Sequence, residues 1–126
     1  MTQPRLLDLF CGAGGAAEGY ARAGFEVVGV DLDPMPHYPF EFIQADATTF
    51  SLEGFDAVHA SPPCQRYSSM TKRWGTEDEH PDLVPVMQEI LRASGLPYII
   101  ENVPGAPLDD PLLLCGSMFG LRVRRH

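Results

Sequence analysis

The sequence predicts an α/β fold, a doubly wound and mostly parallel open sheet, and three observations carry that prediction. Five short apolar runs recur along the 126 residues. Turns, helical stretches or irregular crossovers separate them, and the most distinctive residues fall at their carboxyl ends. In a sheet of this kind ligands bind outside those ends.

Arg5 to Phe10 is the first predicted strand, and Cys11-Gly12-Ala13-Gly14-Gly15 turns the chain at its end. Ala16 to Ala23 reads as a short helix of small residues, ended by Gly24 in the left-handed conformation. Phe25 to Val30 is the second strand, closed by Asp31-Leu32-Asp33-Pro34. After the proline-rich segment 34–39 comes a third strand, Phe40 to Gln44, ending at Ala45-Asp46-Ala47-Thr48. Phe55 to Ala60 is the fourth and runs into Ser61-Pro62-Pro63-Cys64-Gln65. Arg66 to His80 is polar and aperiodic, which predicts a mobile loop. Asp82 is the expected N-cap of a helix with Leu83, Val84, Met87, Ile90 and Leu91 on one face. Pro85 then falls at the third helical position, where its missing N–H costs no bond. Gly95 stops this helix, and Pro97 to Ile100 leads a fifth strand into Glu101-Asn102-Val103-Pro104. Leu112 to Leu121 is apolar but interrupted by Gly116 and Gly120, and its pattern assigns no element. With no repeat and no linker, residues 1–126 read as a single domain.

Composition narrows the function classes. A hydrophobic content of 44% excludes disorder, and no apolar run approaches the ~18 residues of a membrane span. Asp8 interrupts the amino-terminal apolar stretch, which excludes a signal peptide and predicts a soluble, cytoplasmic protein. Cys11, Cys64 and Cys115 form no CxxC pair, against a disulfide framework or a zinc site, and no metal is expected. Cys11 and Cys115 read as small buried residues, and His37, His59, His80 and His126 have no metal-like spacing. The net charge of −8 argues against phosphate contacts, yet its distribution weakens the objection. Residues 1–65 carry −7 and residues 74–121 carry −7, whereas 66–73 and 122–126 carry +3 each.

The glycines after the first strand let a ligand lie against the backbone near a helix N-terminus. Asp31, 19 residues beyond Gly12, matches the spacing of a carboxylate that holds ribose hydroxyls. Asp46 adds an acceptor for an adenine amine. Each aspartate alone reads equally as a loop cap; in this order they predict an adenosine-containing ligand, a dinucleotide or S-adenosylmethionine.

On the other half, Pro62-Pro63 stiffens the chain and presents Cys64 over the crevice. Arg66 and a helix terminus are candidates for activating that thiol. Glu101, at the end of a strand expected to neighbour the fourth, converges with it. A thiolate adding to C6 of a pyrimidine makes C5 nucleophilic, and an acid at ring N3 assists the addition. A methyl sulfonium beside C5 would then be attacked.

The motifs Asp8-Leu9-Phe10-Cys11-Gly12-Ala13-Gly14-Gly15, Ser61-Pro62-Pro63-Cys64-Gln65 and Glu101-Asn102-Val103, in that order, resemble those of cytosine-C5 DNA methyltransferases. The resemblance runs from Leu6 to about Arg125 and implies a Rossmann-like fold that uses S-adenosylmethionine. It implies that Phe10 packs on the cofactor, Gly12 and Gly14 lie under its methionine part, Asp31 holds the ribose, Leu32 covers the adenine and Asp46 faces the adenine amine. Ala47 and Pro63 complete the implied cofactor contacts. Cys64 becomes the covalent nucleophile and Glu101 the residue that holds N3 and the exocyclic amine. The partner implied is double-stranded DNA, with the target base flipped out and the loop 66–80 closing over it. Gln65, Arg66, Lys72 and Arg73 are then candidate DNA contacts, and Trp74 is either a DNA contact or a lid-packing residue.

The sequence departs from the family at its end. Arg122-Val123-Arg124-Arg125 resembles the start of a motif whose arginine contacts the base. Arg124 is that residue in one register; in the other, Arg125 opens the pair. No counterpart of the target-recognition region or of the C-terminal helix is recognisable, which suggests a partial chain or one subunit of a split enzyme. Three alternatives stay open: an RNA cytosine-C5 methyltransferase, a nicotinamide-dependent oxidoreductase on a similar sheet, and a non-catalytic cofactor-binding module.

Overall fold

The structure, a computed structural model, describes residues 2–122; Arg124 and Arg125 lie outside them. Five strands, β1 (Arg5–Leu9), β2 (Glu26–Asp31), β3 (Glu41–Gln44), β4 (Ala57–Ala60) and β5 (Tyr98–Ile100), form one sheet in the order β3-β2-β1-β4-β5. Every pairing is parallel. The chain steps outward from β1 through β2 to β3, then crosses to β4 on the other side of β1. That reversal is the topological switch point at which such sheets open a crevice.

Side-chain alternation assigns the two faces of the sheet. Leu7 and Leu9 stand in register with Val28 and Val30 on one side and with Val58 and Ala60 on the other. This face packs under Met87 and Leu91 of α3 (Val84–Ser94). Truncating fully buried Leu91 to Ala costs about 2–5 kcal/mol. The opposite face carries Leu6, Val27 and Ala57 beneath Ala17 and Tyr20 of α1 (Gly15–Arg22) and beneath Tyr38.

The interior of that second face is polar. Asp8 pairs in register with Gly29 and His59, and its buried carboxylate accepts a bond from Tyr38 Oη at 3.2 Å. Burial pushes the Asp8 carboxyl up to about 6, with the Tyr38 bond opposing the rise and the charge of Asp31 adding to it. Gly29 is the position that admits the Tyr38 ring: a Cβ there would lie 2.3 Å from Tyr38 Cζ.

Several boundaries differ from the sequence reading. Phe10, Phe25, Phe40, Phe55 and Pro97 fall outside the strands, and Asp31 is the last residue of β2 rather than the first beyond it. Phe10 leaves the strand with a φ of 56°, a left-handed conformation that opens the glycine turn. Gly24 and Gly95 do adopt positive φ behind α1 and α3. Residues 66–80, predicted as an aperiodic mobile loop, carry regular structure. The stretch 65–79 holds a 3-10 turn (Gln65–Tyr67), α2 (Ser69–Trp74) and a second 3-10 turn (Glu77–Glu79). Ser68 caps α2 by accepting from Thr71 N at 3.1 Å, and Gly75 ends it at a φ of 68°.

This segment is pinned by contacts that no periodicity reveals. Buried Tyr67 donates to Asp82 and accepts from Val84 N at 3.4 Å, and Arg66 pairs with Asp78 at 3.3 Å. Asp82 is therefore not the N-cap of α3. Leu83 is, and Pro85 takes the second helical position, still among the N–H groups that need no partner. Only a 3-10 turn, Gly116–Phe119, forms within 112–121. Cys11 is buried as expected, whereas Cys115 is only half-buried.

No described helix is long and apolar enough to cross a membrane. Strand β5 has β4 as its only neighbour among the described residues. Ile99, Leu112, Leu113, Leu114 and Phe119 are exposed.

Candidate functional site

Four backbone bonds carry the parallel ladder past the strand ends and set the floor of the crevice. Cys11 N donates to Val30 O at 3.1 Å, Ala45 N to Asp31 O at 3.0 Å, Ser61 N to Leu9 O at 3.2 Å, and Glu101 N to Ala60 O at 3.0 Å. The glycine turn, the Asp31 and Asp46 segments, the Pro-Pro-Cys turn and Glu101 thus start from one line. The glycine, Asp31, Asp46, Pro-Pro-Cys and Glu101 motifs converge there.

The glycine turn and Asp31 are joined directly, because Gly12 N donates to Asp31 Oδ2 at 3.0 Å. Asp33 N donates to the other oxygen, Oδ1, at 3.1 Å. A carboxylate has about four lone-pair sites, so both oxygens keep capacity for a diol. The two glycines have different reasons to be glycine. Gly12 has a φ of 54°, and a Cβ there would enter open space, leaving its backbone approachable by a ligand. Gly14 has a φ of 100° and packs on Pro39 and Tyr38, 2.9 Å and 3.2 Å from an added Cβ.

Beyond β2, Leu32 is 67% exposed, its carbonyl held by Gln44 Nε2 at 3.0 Å. Asp46 Oδ1 accepts from Thr48 N at 2.9 Å and from Thr48 Oγ1 at 2.7 Å. These bonds hold its exposed carboxyl below the usual carboxylate range, ionised and available as an acceptor. Ala47 is buried in the core, and Phe10 packs against the same cluster.

Cys64 is half-buried and precedes the Gln65–Tyr67 turn, its carbonyl accepting from Tyr67 N at 3.0 Å. Pro62 is buried and Pro63 half-buried. Glu101 is exposed, beside Ser61 and three residues from Cys64 on the neighbouring strand end. Sequence reasoning missed the residue that joins them: Asn102 Nδ2 donates to Pro62 O at 3.0 Å, and Asn102 Oδ1 accepts from Val103 N at 2.9 Å. A carboxamide two residues past a strand end was the available signal.

The other two cysteines differ. Burial pushes the Cys11 thiol up to about 12, with Asp8 and Asp31 adding to the rise, which leaves it unreactive. Ser117 Oγ donates to Cys115 Sγ at 3.2 Å and lowers that thiol.

Of the basic cluster, Arg66 is committed within its own segment, to Asp78, Asp82 and the His80 carbonyl. Gln65, Lys72, Arg73 and Trp74 are exposed. Lys72 reaches the 101–106 turn, its Nζ 3.1 Å from a Cβ built at Gly105.

Comparisons with known proteins bear on the family and the fold. The family model for C-5 cytosine-specific DNA methylase matches residues 4–110. The type II methyltransferase M.AquIA of Picosynechococcus sp. is 32% identical over 82% of this chain and 50% of its own length. M.NgoMIV of Neisseria gonorrhoeae is 32% identical over 83% of this chain and 36% of its own. The chain therefore spans half or less of the curated relatives it matches. Among solved structures, the Entamoeba histolytica methyltransferase EhMeth superposes with a TM-score of 0.57 at 19% identity, covering 82% of this chain and 39% of that one. The sugar N-methyltransferase KedS8 of Streptoalloteichus sp. does so with a TM-score of 0.50 at 25% identity, covering 86% and 45%. The strand order and the three motifs thus come with a family-model match over most of the chain: it belongs to the C-5 cytosine-specific DNA methylase family.

Proposed function

We propose that this chain is the catalytic, S-adenosylmethionine-binding part of a DNA cytosine-C5 methyltransferase. The observation that carries the reading is that the Ser61–Cys64 turn and Glu101 follow the ends of adjacent strands, β4 and β5, on the same edge as a glycine turn bonded to Asp31.

The residues fit the cofactor. Gly12 leaves open space above its backbone, Asp31 keeps lone pairs for two ribose hydroxyls, and Asp46 is an ionised acceptor for an adenine amine. Phe10, Gly14, Leu32, Ala47 and Pro63 complete the proposed contacts. When bound, S-adenosylmethionine supplies an electrophilic methyl group beside the target carbon. The chain's own residues prepare that carbon. Cys64 Sγ, as thiolate, forms a bond to C6 of cytosine while Glu101 delivers a proton to N3, and the electron pair of the C5–C6 double bond becomes available at C5. Once C5 is substituted, solvent water takes the C5 proton, the C5–C6 double bond re-forms as the C6–S bond breaks and Cys64 leaves as thiolate, and N3 returns its proton to the Glu101 carboxylate.

Attack on a ring edge requires the base to leave the stack, so the substrate is proposed to be duplex DNA with a flipped cytosine. Gln65, Lys72 and Arg73 are the proposed DNA contacts of this segment, with Arg66 ordering it; Arg124 is the proposed base contact near the C-terminus. Sequence recognition is assigned to further polypeptide, because the relatives are at least twice as long as the part matched here. The open edge of β5 and the exposed Ile99, Leu112, Leu113 and Leu114 are consistent with cover by that polypeptide.

The test is covalent trapping on 5-fluorocytosine, whose C5 fluorine blocks release of the enzyme. The expected result, with S-adenosylmethionine present, is a DNA adduct at Cys64 that Cys64→Ser abolishes. An adduct only with RNA would move the substrate class to RNA. S-adenosylhomocysteine binding with no adduct on either polymer would make the chain a cofactor-binding module.

A further inference from the structure

The sheet face opposite α3 carries a second arrangement that the proposed chemistry does not use. His59, in the middle of β4, is buried at 7% exposure. Its Nδ1 lies 2.8 Å from Tyr20 Oη on α1, and its Nε2 lies 2.8 Å from Ser61 Oγ. Tyr20 also meets the imidazole edge to face, with centroids 5.3 Å apart. Helix α1 follows the glycine turn directly, and Ser61 opens the Pro62-Pro63-Cys64 turn. The imidazole is therefore the link between the cofactor side of the crevice and the thiol side.

The chemistry of the three groups sets the direction of the bonds. Burial pushes the imidazole below its ordinary value, against the raising influence of Glu101, so the ring is neutral at pH 7. A neutral imidazole donates at one nitrogen and accepts at the other. A phenol is a much stronger acid than an aliphatic alcohol, and burial together with the charge of Asp8 keeps Tyr20 protonated. The phenol is thus the better donor to the ring's lone pair. In the tautomer this favours, Tyr20 Oη–H would donate to Nδ1 and Nε2–H to Ser61 Oγ. Ser61 accepts there and keeps its own hydrogen for a group bound over the strand ends. Its backbone is held as well, through the bond from Ser61 N to Leu9 O at 3.2 Å.

We propose that His59 is a positioning residue for the Cys64 turn: fixed by Tyr20 in its Nε2–H tautomer, it holds Ser61 and, through Ser61, the start of that turn. The proposal rests on the reading of Cys64 as the reacting thiol, but its readouts are made on the chain itself and need no turnover.

Two measurements test it. Long-range proton–nitrogen spectra of the full chain report the tautomer; protonation at Nε2 is expected, and Tyr20→Phe, which removes one oxygen, is expected to let Nδ1–H appear. In parallel, the alkylation rate of Cys64 by iodoacetamide is followed peptide by peptide, separately from Cys11 and Cys115. Tyr20→Phe and Ser61→Ala are each expected to raise that rate roughly three- to tenfold, the equilibrium weight of one hydrogen bond. The double variant is expected to be no faster than the faster single one, because both break the same link. His59→Gln, which returns an N–H near the Nε2 position, is expected to restore the wild-type rate to within about twofold, and His59→Leu is not. An Nδ1–H tautomer in the wild type, multiplicative rates in the double variant, or identical rates for the Gln and Leu variants would overturn the proposal. S-adenosylhomocysteine binding in the same samples tests the proposed function and enters none of these readouts.

Discussion

Asn102 ties the two halves of the candidate active site together, its carboxamide donating to the Pro62 carbonyl at 3.0 Å across the ends of β4 and β5. Pro62 precedes Pro63 and Cys64, so this one bond fixes the turn that presents the thiol relative to the strand that presents Glu101. Asn102→Leu keeps the volume and removes the donor. The expected result is a folded chain destabilised by about 1 kcal/mol, with faster amide exchange confined to residues 61–67. Unchanged exchange in that turn would mean that its other contacts, such as the bond from Ser61 N to Leu9 O, hold it without Asn102.

Asp8 sets a pH dependence whose sign follows from its environment. Its carboxyl is raised from 3.8 to about 6 by burial, so between those values the folded chain binds the proton that the unfolded chain has released. The stabilisation is fully present below about pH 4 and is lost as pH rises through about 6, a cost on the order of 3 kcal/mol at neutral pH. Asp8→Asn still accepts from Tyr38 but never ionises. Denaturant melts should show the variant more stable than wild type at pH 7.5 and the gap closing toward pH 4. A gap that stays constant over that range would disprove the assignment.

Gly29 and Tyr38 form a lock that tolerates no added atom. A Cβ at Gly29 would lie 2.3 Å from Tyr38 Cζ and 2.6 Å from Tyr38 Oη, and Tyr38 is held between Asp8, Phe40 and Phe42. Gly29→Ala should therefore cost about 1–3 kcal/mol, the usual range for overpacking. Adding Tyr38→Leu to the alanine variant should recover part of that loss in thermal unfolding. If the single alanine variant melts like wild type, the ring does not occupy this position in solution.

Asp31 has a double role that two substitutions separate. Asp31→Asn keeps an oxygen for Gly12 N or Asp33 N but loses charge; Asp31→Ala loses both acceptors. On the proposed function, Asp31→Ala weakens S-adenosylhomocysteine binding at least about tenfold, since bonds to a charged group are worth roughly 1.5–3 kcal/mol. Asp31→Asn should fall between it and wild type in calorimetry. Equal affinity for all three would remove the ribose role.

Much of this architecture was legible in the residues in order. Alternating apolar runs and turn glycines identify five strands, and positive φ at Gly24 and Gly95 meets the expectation of helix ends there. What local pattern misjudged was the regular structure within residues 66–80. Their order comes from Tyr67, Arg66 and Asp82, whose partners lie 12 to 17 residues away. No helical or strand period encodes contacts at that separation, so the segment reads as a polar loop.

By itself the sequence determined the fold class, the residues at the strand ends and the family, because strand period, turn chemistry and motif order are properties of neighbours along the chain. Only the tertiary structure decided that Gly14 packs on Pro39 and Tyr38 and Gly29 on Tyr38, that Asp8 is a buried acid, that Asn102 holds Pro62, and that His59 links Tyr20 to Ser61. The physical reason is register. Parallel pairing sets Gly29, Asp8 and His59 side by side on one face of three strands far apart in sequence, and their chemistry depends on that adjacency.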